Sequence, residues 1–94
     1  MAEKAINPQR LTVEVMDLDG KNHKLTGRVV ARKELKEFNR VMFEESLERP
    51  VEEQGAFQAA YIYETDLSFW DNFDTRVITR AVTVFVNDLR NPTT

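Results

Sequence analysis

Leu11–Val30 reads LTVEVMDLDGKNHKLTGRVV, and Ala31–Glu48, directly after it, reads ARKELKEFNRVMFEESLE. The change of period between these two stretches decides the fold. Leu11, Val13 and Val15 alternate with Thr12 and Glu14, the period-two pattern of a half-buried strand. Asp19-Gly20 supplies a turn, because glycine takes positive φ without a steric cost. Extended character resumes from His23 to Val30, so the stretch reads as a β-hairpin with strands over about 11–17 and 23–30. Gly27 is placed where a bulge would interrupt the second strand. Beyond Ala31 the period lengthens: Leu35, Phe38, Met42 and Leu47 form an apolar stripe at helical spacing over 31–48.

Working outward, Arg49-Pro50 ends that first helix, and Pro50 then opens a second one running to about Tyr63. Thr65-Asp66 reads as the cap of a short turn carrying Leu67, Phe69 and Trp70. Asp74 caps a last helix over 75–90, whose buried face carries Val77, Ile78, Ala81, Val82, Phe85 and Leu89. Its β-branched residues favour strands locally, but the aspartate cap and the 3.6 period over the whole stretch favour helix. Asn91-Pro92 stops it. The expected architecture is therefore α+β, an N-terminal β-hairpin packed against about three helices. Residues 1–10 read as a loose arm and 11–92 as one domain.

Ninety-four residues with 41% hydrophobic and 31% charged side chains suit one globular core. There is no cysteine, which excludes disulfides, thiolate catalysis and zinc–thiolate sites and fits a cytosolic protein. A net charge of −3 gives no general attraction to phosphate backbones, so nucleic acid is not an expected partner. No apolar run approaches the ~20 residues that cross a bilayer, so no membrane is expected either.

The residues with chemistry form no catalytic set. The single histidine, His23, stands beside the hairpin turn and reads as a solvated turn residue. Ser46 and Ser68 lie in no nucleophile-elbow sequence. A calcium loop starting at Asp17 fails in register, with Gly20 at its fourth position and Arg28 at its twelfth. Three glycines, at 20, 27 and 55, cannot build a phosphate-cradling loop. Asp66, Asp71 and Asp74 lie close in sequence, but helix capping accounts for the first and last of them without a metal. No enzyme, cofactor or metal is expected, and the chain reads as one that works by binding other proteins.

Two features mark candidate binding surfaces. The first helix opens on Arg32, Lys33, Lys36 and Arg40 and closes on Glu44, Glu45 and Glu48, against the preference of the helix dipole at both ends. Lys33–Glu37 and Glu45–Arg49 are favourable i,i+4 pairs, whereas Arg32–Lys36, Lys36–Arg40 and Glu44–Glu48 set like charges together. Such a helix could meet another copy, basic end against acidic end, in a weak and salt-sensitive contact; a solvated face with untuned charges is the plainer reading. Phe69 and Trp70, with Phe73 behind them, either plug the helical core or form an interface anchor, and the plug is the plainer reading of these.

The order of these pieces resembles the tail assembly chaperones of long-tailed bacteriophages, small proteins encoded just ahead of the tape-measure gene. The resembling stretch runs from Leu11 to Pro92. It comprises the hairpin with its DGK turn, the charged helix ARKELKEFNRVMFEE, and FQAAYIYETDLSFWDNFDTRVITRAVTVFVNDLRNP, in which DLSFWDNFDTR is the most specific piece. The resemblance implies a non-catalytic chaperone in the bacterial host cytoplasm that coats the apolar tape-measure protein and self-associates during tail morphogenesis. It also implies, in many phages, a frameshifted longer product, with which the stop at NPTT is compatible as the short form. The alternatives are a structural neck or tail component of the particle, and a small phage-encoded inhibitor that binds a host protein.

Overall fold

The computed structural model describes residues 10–90. The arm expected over 1–10 lies, except for Arg10, outside the described residues, as does the Asn91-Pro92 stop. Strand β1 (Thr12–Met16) pairs antiparallel with β2 (Asn22–Thr26) in a two-stranded sheet, with Val13 opposite Leu25 and Val15 opposite His23. Three α-helices follow: α1 (Leu35–Phe43), α2 (Val51–Tyr63) and α3 (Thr75–Arg90). Short 3-10 turns over Arg32–Glu34, Glu45–Glu48 and Leu67–Asn72 join or extend them. The expected α+β architecture, a hairpin followed by three helices, is the one found.

The turn of the hairpin is built by Asp17 as much as by Gly20. Asp17 Oδ1 accepts from the backbone amides of Asp19 and Lys21, each at 2.9 Å, and Gly20 sits at φ 83°. Strand β2 is shorter than the expected 23–30. Past Thr26 the chain leaves β1: the Gly27 amide still donates to Leu11 O at 2.7 Å, but the Arg28 amide donates to Ile62 O at 2.9 Å. The segment is thus tied to the end of α2 rather than to its sister strand. Gly27 is a point of close approach, not a bulge. A Cβ at this position would stand 2.7 Å from two ring carbons of Phe85.

The single helix expected over 31–48 is broken at both ends. Residues 32–34 form a 3-10 turn, and the helix leaves α geometry at Glu44 (φ −121°, ψ −58°). The reason lies at the carbonyl of Met42. It accepts the buried Ser46 hydroxyl at 2.6 Å and the Gln58 side-chain amide at 2.8 Å. Side-chain donors occupy the position that a continuing helix would give to a backbone amide. Pro50 caps α2 from one position before its first residue, and Glu52 and Glu53 fall in the first turn, where carboxylates suit the helix dipole.

The core is one cluster. Phe38 and Met42 of α1, Ala59, Ile62 and Tyr63 of α2, and Ile78, Ala81 and Phe85 of α3 meet Val15 of the hairpin, Trp70 and Phe73. Its buried polar groups are paired: the Tyr63 hydroxyl donates to Ala81 O at 2.6 Å, and Trp70 Nε1 donates to Thr65 Oγ1 at 2.7 Å. Burial pushes the Tyr63 phenol above its ordinary value, with the charge of Asp88 adding to the effect. Asp74 caps α3 as expected, accepting the Arg76 amide at 2.8 Å, whereas the Asp66 carboxylate makes no capping bond.

Candidate protein-binding surfaces

With the core closed, eight large hydrophobic side chains remain exposed among the described residues: Met16, Leu18, Val29, Leu35, Phe43, Leu47, Val51 and Val84. Singly exposed apolar side chains are ordinary, but apolar patches rimmed by polar residues mark contact sites. Phe43, Leu47 and Val51 line a single groove, with Leu47 67% and Val51 82% exposed. Met42, Ala56 and Ile78 contribute to the same hollow of about 570 Å³, which lies between the end of α1 and the starts of α2 and α3. A second, shallower trough of about 330 Å³ lies between the hairpin and α3, lined by Val13, Met16, Val77 and Val84.

Gly55, in the middle of α2, also lines the groove. A Cβ there would meet only Ile78 Cγ2, at an ordinary 3.7 Å. Packing therefore leaves room for alanine, although glycine is the less favourable residue inside a helix. Having no side chain, it adds none to the groove wall.

The charged side chains singled out from the sequence do not separate into a basic and an acidic end, because Glu44 lines one hollow with Lys33, Lys36 and Arg40. Arg32, Lys33 and Lys36 are exposed at the opening end, beside Leu35, and hold no ion pair among the described residues. Glu44, Glu48 and Glu52 are exposed and hold no ion pair among the described residues, but only Glu52 lines the groove: Glu44 shares a separate hollow with Lys33, Lys36 and Arg40, and Glu48 one with Arg49 and Pro50. Glu45 is engaged instead: Arg40 reaches it at 3.1 Å and Glu37 at 2.7 Å. The expected pairs Lys33–Glu37 and Glu45–Arg49 give way to Arg40–Glu37, Arg40–Glu45 and Arg49–Glu53. The breaks on both sides of α1 are the cause: Lys33 lies in the 3-10 turn before it, and Glu45 and Arg49 lie beyond Glu44, so neither pair keeps the α-helical period. The macrodipole argument also narrows, because Arg32, Lys33 and Glu48 lie outside α1 itself.

Trp70 belongs to the core. It is 1% exposed, against Phe69 and Phe73 at ring-centroid distances of 5.1 Å each. The aromatic turn is a plug, and Trp70 offers no surface anchor. Phe69 is half-buried and packs edge-on against His23 at 5.1 Å. His23 in turn is half-buried rather than solvated, and its Nε2–H donates to Asp17 Oδ2 at 2.8 Å. Its role is to hold the hairpin turn against the plug. A helical stripe containing Phe43 and Leu47 does not point to the groove; the signal for it is Leu47-Glu48-Arg49-Pro50-Val51, with apolar residues astride a helix break.

Among the described residues no three carboxylate or imidazole side chains converge as metal ligands would, and no helix is long and apolar enough to cross a membrane. No family model, curated protein or solved structure matches the chain.

Proposed function

We propose that this protein is a non-catalytic chaperone of phage tail assembly, which binds the apolar tape-measure protein and self-associates along it in the cytoplasm of the bacterial host. The observation that supports this reading is apolar surface left over after the core is complete, gathered in the groove and in the trough. Exposed apolar patches rimmed by polar residues mark contact sites, and a protein that shields an apolar client needs such surface. The client surface is assigned to the trough, where Met16 and Val84 stand 53% and 41% exposed between a helix and a strand whose outer edge has no partner among the described residues.

Co-expression with a tape-measure protein tests the reading. The client is expected to stay soluble and to co-purify with the wild-type chain. Met16→Glu with Val84→Glu is expected to lose most of the captured client, at least tenfold, while the far-UV spectrum is retained. Client that precipitates equally with and without the chain would sink the proposal.

A further inference from the structure

We infer that the client is held as an added β-strand: an extended segment of it pairs with the outer edge of β1 and lays alternate, apolar side chains against Val77 and Val84 of α3. The inference rests on the client binding proposed above and states the conformation in which the client is held. It starts from the backbone of the hairpin. At the two ends of the register the Gly27 amide donates to Leu11 O at 2.7 Å and the Asp17 amide to Lys21 O at 2.9 Å. In an antiparallel pair, residues that exchange such bonds alternate with residues whose amides and carbonyls point away from the partner strand. Leu11, Val13, Val15 and Asp17 therefore bond inward to β2, and Thr12, Glu14 and Met16 turn their backbone outward. The next outward group, the Leu18 amide, is filled, since it donates to Asn72 O at 2.9 Å just ahead of α3. Thr12, Glu14 and Met16 continue the same edge, and none of them has an outward backbone partner among the described residues.

The trough lies where this edge meets α3. Val13 and Met16 form its strand wall and Val77 and Val84 its helix wall, while Glu14 and Arg80 add one charge of each sign. Charge therefore selects no occupant, but the edge does. A row of amides and carbonyls repeating at every second residue is matched by another backbone in extended form. Side chains of such a segment alternate, so every second one faces α3 and has to be apolar. A second copy has no such strand to offer, because Val13, Val15 and Leu25 of its hairpin already pack in its own core. The opposite edge of the hairpin, on β2, carries exposed Asn22, Lys24 and Thr26, and a lysine there guards against pairing.

Amide hydrogen exchange, followed residue by residue by NMR with and without short synthetic peptides spanning the tape-measure protein, tests the inference. The peptides that bind should carry apolar residues at alternate positions. They should slow exchange at Thr12, Glu14 and Met16 by about tenfold or more and leave Lys24 as it was. Proline supplies matched variants. Glu14→Pro removes one outward amide and should weaken peptide binding about tenfold. Lys24→Pro removes the outward amide of the residue opposite Glu14 and should leave binding unchanged. Neither takes a bond from between the strands, so circular dichroism should find both folded. If either unfolds, the exchange pattern of the wild type decides. Peptide bound while the Thr12, Glu14 and Met16 amides exchange as in the free chain would overturn the inference and leave the client reading standing. So would peptide bound as a helix, or no peptide bound although the full client co-purifies. Protection of those amides in the free chain would overturn it too, marking a second copy on the edge if it rises with concentration and another part of the same chain if it does not. A client that the co-expressed chain fails to hold removes the client reading itself.

Discussion

Two glycines show how little a residue's identity decides before its neighbours are known. Gly27 and Gly55 are equally small, yet a methyl group has opposite meanings at the two positions. At Gly27 it would press to 2.7 Å against the ring of Phe85, which is itself only 3% exposed and has no free space to turn into. Gly27→Ala is therefore expected to destabilise by about 1–3 kcal/mol. At Gly55 the new methyl meets one carbon at contact distance, and the helix gains from losing its glycine. Gly55→Ala should stabilise by roughly 0.5–1 kcal/mol. For a chain of this size each kcal/mol moves the midpoint by about 4–8 °C, so thermal melts should resolve shifts of opposite sign. A lowered midpoint for Gly55→Ala would mean that the fold itself needs a glycine there. From the sequence alone Gly27 reads as a bulge, and Gly55 figures only among the glycines too few for a phosphate-cradling loop. The close approach of Gly27 to Phe85 joins residues 58 positions apart, and no local pattern carries that information.

Among the elements, the hairpin and the first and last helices were legible from their periods, and the second helix, whose apolar pattern is less regular, from its boundary at Pro50 and the acids of its first turn. What the pattern missed was where each element lets go of its own hydrogen bonds. The first helix ends at Phe43 because Ser46 and Gln58 claim the Met42 carbonyl, and one of those residues belongs to the next helix. The second strand ends at Thr26 because Ile62 O takes the Arg28 amide. The hairpin turn has a chemical signature of its own. The hydrogen bond from His23, followed by that from the Lys21 amide, holds the Asp17 carboxyl below its ordinary value. At the start of α3, the Arg76 side chain and then its amide hold Asp74 at about 2. A carboxyl whose folded pKa is depressed contributes stability that is fully present above its unfolded value and is lost as pH falls through the folded one. The melting midpoint should therefore hold steady above pH ~4–5 and decline on the way to pH ~2, as the two carboxylates take up protons. Asp17→Asn and Asp74→Asn should each be less stable than the wild type near neutrality and converge with it towards pH ~2. Parallel curves for wild type and variants across that range would show that these carboxylates do not couple to folding.

The whole molecule is held together by bonds that cross between its two parts. A two-stranded hairpin is at best marginal alone in water, so its order depends on the helices. Leu18 N donates to Asn72 O at 2.9 Å, the Asn72 side-chain amide donates to Asp19 Oδ2 at 2.9 Å, and the Arg28 guanidinium donates to Tyr61 O at 2.9 Å. The Arg28 guanidinium also lies over the Tyr61 ring, 4.0 Å from its centre, and Val15 inserts into the helical core. These ties run to the aromatic turn, to α2 and to the cluster as a whole, so no part of the hairpin can detach without exposing Trp70, Phe73 or Phe85 to water. The single tryptophan reports directly on that event, since Trp70 is packed between Tyr63, Phe69 and Phe73 with its indole N–H on Thr65. Thermal unfolding followed by far-UV circular dichroism, which weighs the helices, should coincide with unfolding followed by Trp70 fluorescence, which weighs the junction. Coincidence is the behaviour of one cooperative unit. Removing the junction should split them: Asn72→Ala takes away the side-chain tie to Asp19 and should lower the fluorescence midpoint before the helical one. If the wild-type curves already separate by several degrees, the hairpin and the aromatic turn form a unit looser than the helices. The trough between β1 and α3 would then open and close on its own, and client binding there would depend on that motion.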